Sequence, residues 1–410
     1  MTTARQQLDA LLCETPAEAR VREASAFDTI AAGRRKVVIL GAGRLGRKIL
    51  QGLSDTDLEP VAFTDNNPRI WGKVADGLPV LSPEDAANKY AKEATFVVAI
   101  WHPSREPLMA SLLRQLRRLG CTTIAFPVLF WRHPEKFLPY FFWDRPSNLL
   151  QQSPDVVSAF HLLEDDVSRE TYVSQVQLRL HADFECIGSP VAGEQYFPGL
   201  FSKLDDESFV DCGAYTGDTI QSLISESGNR FSKVVAFEAD PAVLPALETL
   251  MGDIGGRAVL RKAVVGAQNG SVSFASDGAG GGCVTAGPGV AVPCVRLDDA
   301  LASERVSFIK MDIEGAELQA LEGAQSIIWR NRPVLAVCGY HTPDHLWRVL
   351  TSLKTLAPDS ALFLRSHCSD GLDTVCYSVP PERRVQASSS ARHTDGKTQK
   401  SHARAQGSQS

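Results

Sequence analysis

The stretch SFVDCGAYTGDTIQSLISESGNRFSKVVAFEAD, residues 208–240, decides how this chain is read. A short apolar run, Phe209 and Val210, delivers Asp211 to a turn built on Gly213 and Gly217, and an amphipathic run over 219–224 follows. The pattern is strand, glycine turn, helix. A second apolar run, 234–237, ends on Glu238 about 25 residues beyond Gly213, so the unit reads as β-α-β with an acid at the tip of its second strand. Such an acid can grip the hydroxyls of a ribose. The glycines let the backbone approach a ligand closely, and the helix start favours electron-rich groups.

Asp211 at the head of the turn departs from a dinucleotide fingerprint: it would repel a pyrophosphate but suits a cationic amino acid. S-adenosylmethionine carries an ammonium and a sulfonium, and fits an acid-headed glycine turn better than NAD does. The plainer reading is a tight turn that binds nothing. A second unit lies earlier, where 37–40 form a buried strand and Gly41, Gly43 and Gly46 give G-x-G-x-x-G before a helix carrying Ile49, Leu50 and Leu53. Another strand, 60–64, ends on Asp65 at the ribose-binding distance. No acid heads this turn, which suits a nucleotide, although the same pattern fits an interaction module that has lost its ligand. Runs at 96–100 and 108–119 continue the α/β alternation to Phe126.

The whole chain bounds the answer. At 410 residues it exceeds one ordinary core and suggests two domains with additions. Hydrophobic content of 44% with 22% charged residues is that of a globular protein in water. A net charge of −6 leaves no footprint for nucleic acid, which points to a small molecule as partner. The nine cysteines include no C-x-x-C pair and are odd in number, so neither a metal nor a disulfide framework is predicted; reduced thiols in a cytoplasmic protein are. No apolar run approaches the roughly 18 residues of a membrane-spanning helix, and no stable membrane insertion is predicted. Oligomeric state is not legible.

Around these units, 1–34 reads as helix. The segment 128–146 is dense in aromatics, from Phe130 to Trp143, and fits interdomain packing better than a sugar surface. Residues 153–180 read as one helix with an apolar stripe, and 194–198 (EQYFP) stands close enough to the central strand to cover a ligand mouth. A third strand is predicted over 257–265, and a hairpin from 271–274 and 290–295 around the glycine-rich loop DGAGGGCVTAGPG. The strand at 306–311 ends in Asp312, Glu314 and Glu317, three carboxylates that are costly together unless something cationic lies near. Another strand leads to Tyr340 and His341, and strands at 361–364 and 374–379 finish the sheet. From 381 on, the chain is predicted to be a disordered tail.

FVDCGAYTGDT, FEADP, LDD, FIKMDIEGAELQALEGA and YHTPDHLW, in this order, resemble the FkbM-type S-adenosylmethionine-dependent methyltransferases over about residues 195–380. The segment 35–125 resembles the nucleotide-binding N-terminal domain of bacterial sugar acyltransferases. The fold expected is therefore α/β, with two Rossmann-like doubly wound domains, the C-terminal one of the class I methyltransferase type. The division expected is an N-terminal helix (1–34), a Rossmann-like domain (35–127), a connector (128–194), the methyltransferase domain (195–380) and the tail (381–410). The resemblance implies O-methylation of a sugar, glycan or nucleotide-linked sugar. It places Asp211, Gly213, Ala214 and Gly217 along the methionine part of S-adenosylmethionine, Glu238 at the ribose, and Asp312, Glu314 and Glu317 near the methyl group. A nucleotide or nucleotide-sugar would lie at Gly41, Gly43, Gly46 and Asp65. The Cys338-Gly339 pair departs from the family pattern and bears on the acceptor pocket.

His341, which titrates near neutral pH, is the predicted general base, with Asp312 and Glu314 orienting acceptor and cofactor. A histidine that merely bonds the following helix start is the bland alternative. Two other function classes stand beside methyl transfer. An NAD-dependent oxidoreductase or epimerase would need a Tyr-x-x-x-Lys pair that the N-terminal domain lacks, and a non-catalytic binding protein would take neither ligand.

Overall fold

The computed structural model describes residues 2–106, 108–276 and 281–385. Its N-terminal sheet has six strands in the order Val74–Ala75, Leu78–Leu81, Glu59–Thr64, Lys36–Leu40, Ala94–Val98, Thr122–Ala125. All neighbours run parallel except the first pair, a tight hairpin. Strands buried on both faces read as continuous apolar runs, as KVVIL and ATFVV do, because helices cover each side.

The C-terminal sheet has seven strands in the order Ala361–Ser366, Thr374–Val379, Val334–Cys338, Phe308–Met311, Ser208–Cys212, Lys233–Phe237, Ala258–Arg261. Only Thr374–Val379 runs antiparallel to its neighbours. The order reverses between Ser208–Cys212 and Phe308–Met311, and a crevice opens beyond their carboxyl ends, where doubly wound folds take ligands. Both sheets have the Rossmann-like α/β architecture expected.

One apolar core runs from the N-terminal sheet into one face of the C-terminal sheet, through Phe63, Phe96, Phe126, Trp143, Phe209 and Phe308. A second core covers the other face, beneath Leu163, Tyr172 and Trp347. The aromatic connector belongs mainly to the first: Trp101 meets Phe126, Tyr140, Phe141, Phe142 and Trp143 with ring centroids 5.3 to 6.3 Å apart. The domains are also tied by polar contacts. Trp101 Nε1 donates to the Asp370 carbonyl at 3.0 Å, and the Met109 amide donates to the Asp370 carboxylate at 3.0 Å.

Several boundaries differ from the sequence reading. The helix expected over 153–180 is two, Ser153–Phe160 and Asp166–His181, because Asp165 caps the second by accepting from the Ser168 amide. The strand expected over 257–265 splits: Ala258–Arg261 joins the large sheet, and Val264–Val265 joins a four-stranded sheet with Val290–Val295, Gly270–Ala275 and Cys283–Val284. The hairpin of the last three encloses part of the glycine-rich loop, whose residues 277–280 lie outside the described residues. The tail begins later than 381. Arg383 is buried against Glu207 at 2.7 Å, which fixes Pro381–Arg383 to the domain, and the remainder of the expected tail, 386–410, lies outside the described residues. Among the described residues, no helix is long and apolar enough to cross a membrane.

Candidate active site

Strands Ser208–Cys212 and Phe308–Met311 lie side by side in register, so Lys310 pairs with Asp211 across the ladder. The Lys310 ammonium stands 3.0 Å from Asp211 Oδ1 and donates to the Gly213 carbonyl at 2.6 Å, both side chains almost fully buried. Burial pushes the Asp211 carboxyl up to about 6 against the pull of Lys310. For Lys310, burial disfavours the charge, but Asp211 and Asp312 outweigh it and the ammonium is held. Asp211 thus serves as the counter-ion of a buried lysine. It does not line the cavity, which corrects its expected place beside the cofactor.

The turn above it does line the cavity. Gly213 has φ +78°, and a Cβ there would sit 2.0 Å from the Asp312 carbonyl, so only glycine lets the two strand-tip loops touch. Gly217 ends the turn without a side-chain cap, and Tyr215, Asp218 and Thr219 face the cavity beside it. Ala214 and Gly217 themselves stand behind this lining. Glu238 accepts hydrogen bonds from the amides of Tyr215 (2.9 Å), Ala239 (2.7 Å) and Asp240 (2.8 Å), which fixes its carboxylate at the rim.

The N-terminal unit repeats this geometry. Asp65 accepts from the Ala42 amide (3.1 Å) and the Asn67 amide (2.8 Å), just as Glu238 reaches back to its own glycine turn. Gly46 is a packing residue: a Cβ there would lie 1.9 Å from the Gly41 carbonyl. Gly41, Gly43 and Asp65 line the same cavity as Gly213, Glu238 and Asp312, a space of about 1200 Å³ walled between them by Trp101, Tyr140, Phe141 and Tyr196. The two glycine turns open onto one cleft.

At its floor, Asp312 accepts from the hydroxyls of Tyr196 (2.7 Å) and Tyr340 (3.2 Å). Its own burial opposes ionisation, but His341 and Lys310 prevail and hold the carboxyl below the usual range. Glu314 has φ +54° and Gly315 φ +101°, and this left-handed pair turns the Glu314 carboxylate to 3.7 Å from His341 Nε2. His341 Nδ1 meets the buried Glu317 at 2.7 Å, and Nε2 stands 3.2 Å from Asp312. Burial disfavours its charge, yet Glu317, Asp312 and Glu314 raise its pKa well above that of a free imidazole. The expected role of general base needs a neutral imidazole, and these three carboxylates favour the charged one. Glu317, fully buried behind the imidazole, fixes the histidine and is not part of the cavity wall.

Burial raises the Glu317 carboxyl, but His341 and His345 prevail and hold it at about 2, against 4.5 when free. Its contribution to stability is therefore complete above the unfolded value and lost as pH falls through the window toward the folded value. The urea midpoint is expected to drop between about pH 5 and about pH 2, with Glu317→Gln flattening part of that slope. An identical slope in the variant would assign the acid sensitivity elsewhere.

The sequence placed the segment holding Tyr196 over the ligand mouth but did not signal Lys310, Tyr196 or Tyr340 individually as site residues. Lys310 stood inside an apolar run, and Tyr196 reaches Asp312 from a segment 116 positions away.

Fold and site together define a Rossmann-like methyltransferase with an added N-terminal α/β domain. Residues 211–354 match the family model of the methyltransferase FkbM domain. Among solved structures, the methyltransferase FkbM from Methylobacillus flagellatus KT shares the fold at 22% identity with a TM-score of 0.71, over 92% of this chain and 98% of its own. Two others overlap far less well: the Methanococcus jannaschii fibrillarin pre-rRNA processing protein (TM-score 0.28, 11% identity, 44% of this chain and 70% of its own) and the Podospora anserina methyltransferase PaMTH1 (TM-score 0.23, 11% identity, 55% and 87%). Among curated proteins none matches.

Proposed function

We propose that this protein O-methylates a hydroxyl of a sugar whose nucleotide group is held by the N-terminal domain, with S-adenosylmethionine bound by the C-terminal one. The observation that carries this reading is the single cleft onto which both glycine turns open. A cradle that a Cβ would fill at Gly213 and a rim bearing Asp218, Glu238, Asp240 and Asp312 suit a ligand with two positive groups. Gly213 and Tyr215 would hold the methionine part and Glu238 the ribose. S-adenosylmethionine, when bound, supplies an electrophilic methyl group.

The chain's own residues do the rest. Tyr196 and Tyr340 fix Asp312, which faces the cavity ionised and can orient both an acceptor hydroxyl and a cation. On the opposite side, the helix Arg44–Gly52 starts at Gly43 without a side-chain cap, and Gly43, Arg44 and Leu45 line the cleft. A helix start with an arginine in its first turn favours a phosphate, and Asp65 is placed to take a ribose. The aromatic wall of Trp101, Tyr140 and Phe141 between the two sites suits the apolar face of a sugar ring.

Calorimetry on two variants tests the division of ligands. Glu238→Ala is expected to weaken S-adenosylmethionine binding about tenfold or more, since hydrogen bonds to a charged group are worth about 1.5–3 kcal/mol, while Asp65→Ala leaves it unchanged. Asp65→Ala is expected instead to weaken UDP-glucose or GDP-mannose. Loss of S-adenosylmethionine binding in Asp65→Ala would contradict the assignment of one ligand to each domain.

A further inference from the structure

We propose that the floor of the cleft is a divalent-cation site formed by Asp312, Glu314 and His341, with Glu317 as the residue that orients the histidine. This rests on the methyl-transfer reading only for what the ion would do, not for whether it binds.

Asp312, Glu317 and His341 bring ligand atoms within 4.8 Å of one another. The acids alone would say little. The second observation is His341, whose side chain is 1% exposed and whose Nε2 has no hydrogen-bond partner among the described residues. That nitrogen lies 3.2 Å from Asp312 Oδ1, out of line for a hydrogen bond, and 3.7 Å from Glu314 Oε1. The opposite nitrogen, Nδ1, is 2.7 Å from the buried Glu317 carboxylate. A carboxylate fixing one nitrogen of a histidine while the other faces oxygen ligands is the arrangement that orients a metal-bound imidazole.

The spacing agrees with an ion. Neighbouring ligands at about 2.0–2.1 Å in octahedral geometry stand about 3.0 Å apart, close to the 3.2 Å between Nε2 and Asp312, while Glu314 at 3.7 Å would have to move in by a small side-chain shift. Charge agrees as well. Asp211 and Lys310 offset each other below the site, and Asp312, Glu314 and Glu317 gather around His341 in a largely buried setting, with His345 also against Glu317. A divalent ion placed among these carboxylates would be favoured by their charge. Two carboxylate oxygens with one imidazole nitrogen suit Mn²⁺ or Mg²⁺ more than a thiolate-seeking metal. Asp312, Glu314 and His341 all line the cavity, so the ion's remaining positions would be open to an acceptor hydroxyl, which it would position and make more acidic.

Mn²⁺ alone is the probe, added to the full chain and followed by calorimetry and electron spin-echo spectroscopy. One ion per chain is expected, with a nitrogen coupling from an imidazole. Glu314→Gln, a partly exposed position where the fold should survive, is expected to weaken Mn²⁺ at least tenfold, and His341→Gln to remove the nitrogen coupling. Absence of binding at millimolar Mn²⁺, binding unchanged in Glu314→Gln, or a wild-type signal without nitrogen coupling would each overturn the site. S-adenosylmethionine titrated into the same samples keeps the two readings apart: its failure to bind while Mn²⁺ binds as expected would count against methyl transfer and leave the cation site standing.

Discussion

Lys310→Met is expected to cost about 3–5 kcal/mol of folding stability, because it strips the partner from a buried charge and leaves the charge behind. Lys310 is 3% and Asp211 0% exposed, so water cannot take over the role of the ammonium. The variant also withdraws the donor to the Gly213 carbonyl, and with it the support of the turn. Asp211 can escape by taking up a proton. With an unfolded pKa of 3.8, that uptake costs about 1.4 kcal/mol for each pH unit above this value, or about 4 kcal/mol at neutral pH. The sign follows. A raised folded pKa means that the native variant binds a proton the unfolded chain has lost, so its deficit should shrink as pH falls from 7 toward 4. Chemical denaturation across that range checks this, and Asp211→Asn combined with Lys310→Met is expected to recover most of the loss at neutral pH. A single variant as stable as the parent at pH 7 would mean that the pair contributes nothing to the turn.

Asp312→Asn is expected to lower the rate of methyl transfer by roughly 10²- to 10³-fold while changing S-adenosylmethionine affinity only a few-fold. Asparagine has nearly the same shape and keeps one acceptor oxygen for one of the two tyrosine hydroxyls, while its amide NH2 must donate to the other, so the loss combines the missing charge with one rearranged hydrogen bond. That charge faces His341 on one side and the cavity on the other. Tyr196→Phe removes a single bond to Asp312 and should do less, with about 1.5–3 kcal/mol as its ceiling. Single-turnover measurements separate these outcomes from binding. A variant of Asp312 that turns over normally would place the reacting hydroxyl away from this strand tip.

Much of the fold was legible because its signals are local. Apolar runs at 37–40, 209–210 and 234–237 are too short for helices and are followed by glycines, and the acids Asp65 and Glu238 stand at the tips where second strands must end. The pairing of Lys310 with Asp211 was not legible, since it depends on the register of strands almost a hundred residues apart. Asp211 was read as a ligand residue because a turn-heading acid and a buried counter-ion look the same until the neighbouring strand is placed. The surroundings of His341 were hidden for a similar reason: Asp312, Glu314 and Glu317 converge on its imidazole only in the fold. The shared cleft is the largest feature of this kind. Each glycine turn could be read alone, but nothing in either motif says that they face one another, because that depends on the aromatic packing of Trp101 against 126–143 and on the contacts of Asp370.

The most direct test of the account is a crystal structure of the protein with S-adenosylhomocysteine. The ribose hydroxyls are expected within hydrogen-bonding distance of Glu238, the amino-acid part against Gly213 and Tyr215, and the sulfur turned toward the Asp312 side of the cleft. S-adenosylhomocysteine found instead at Gly41, Gly43 and Asp65, or a cleft that stays empty at saturating concentration, would contradict it.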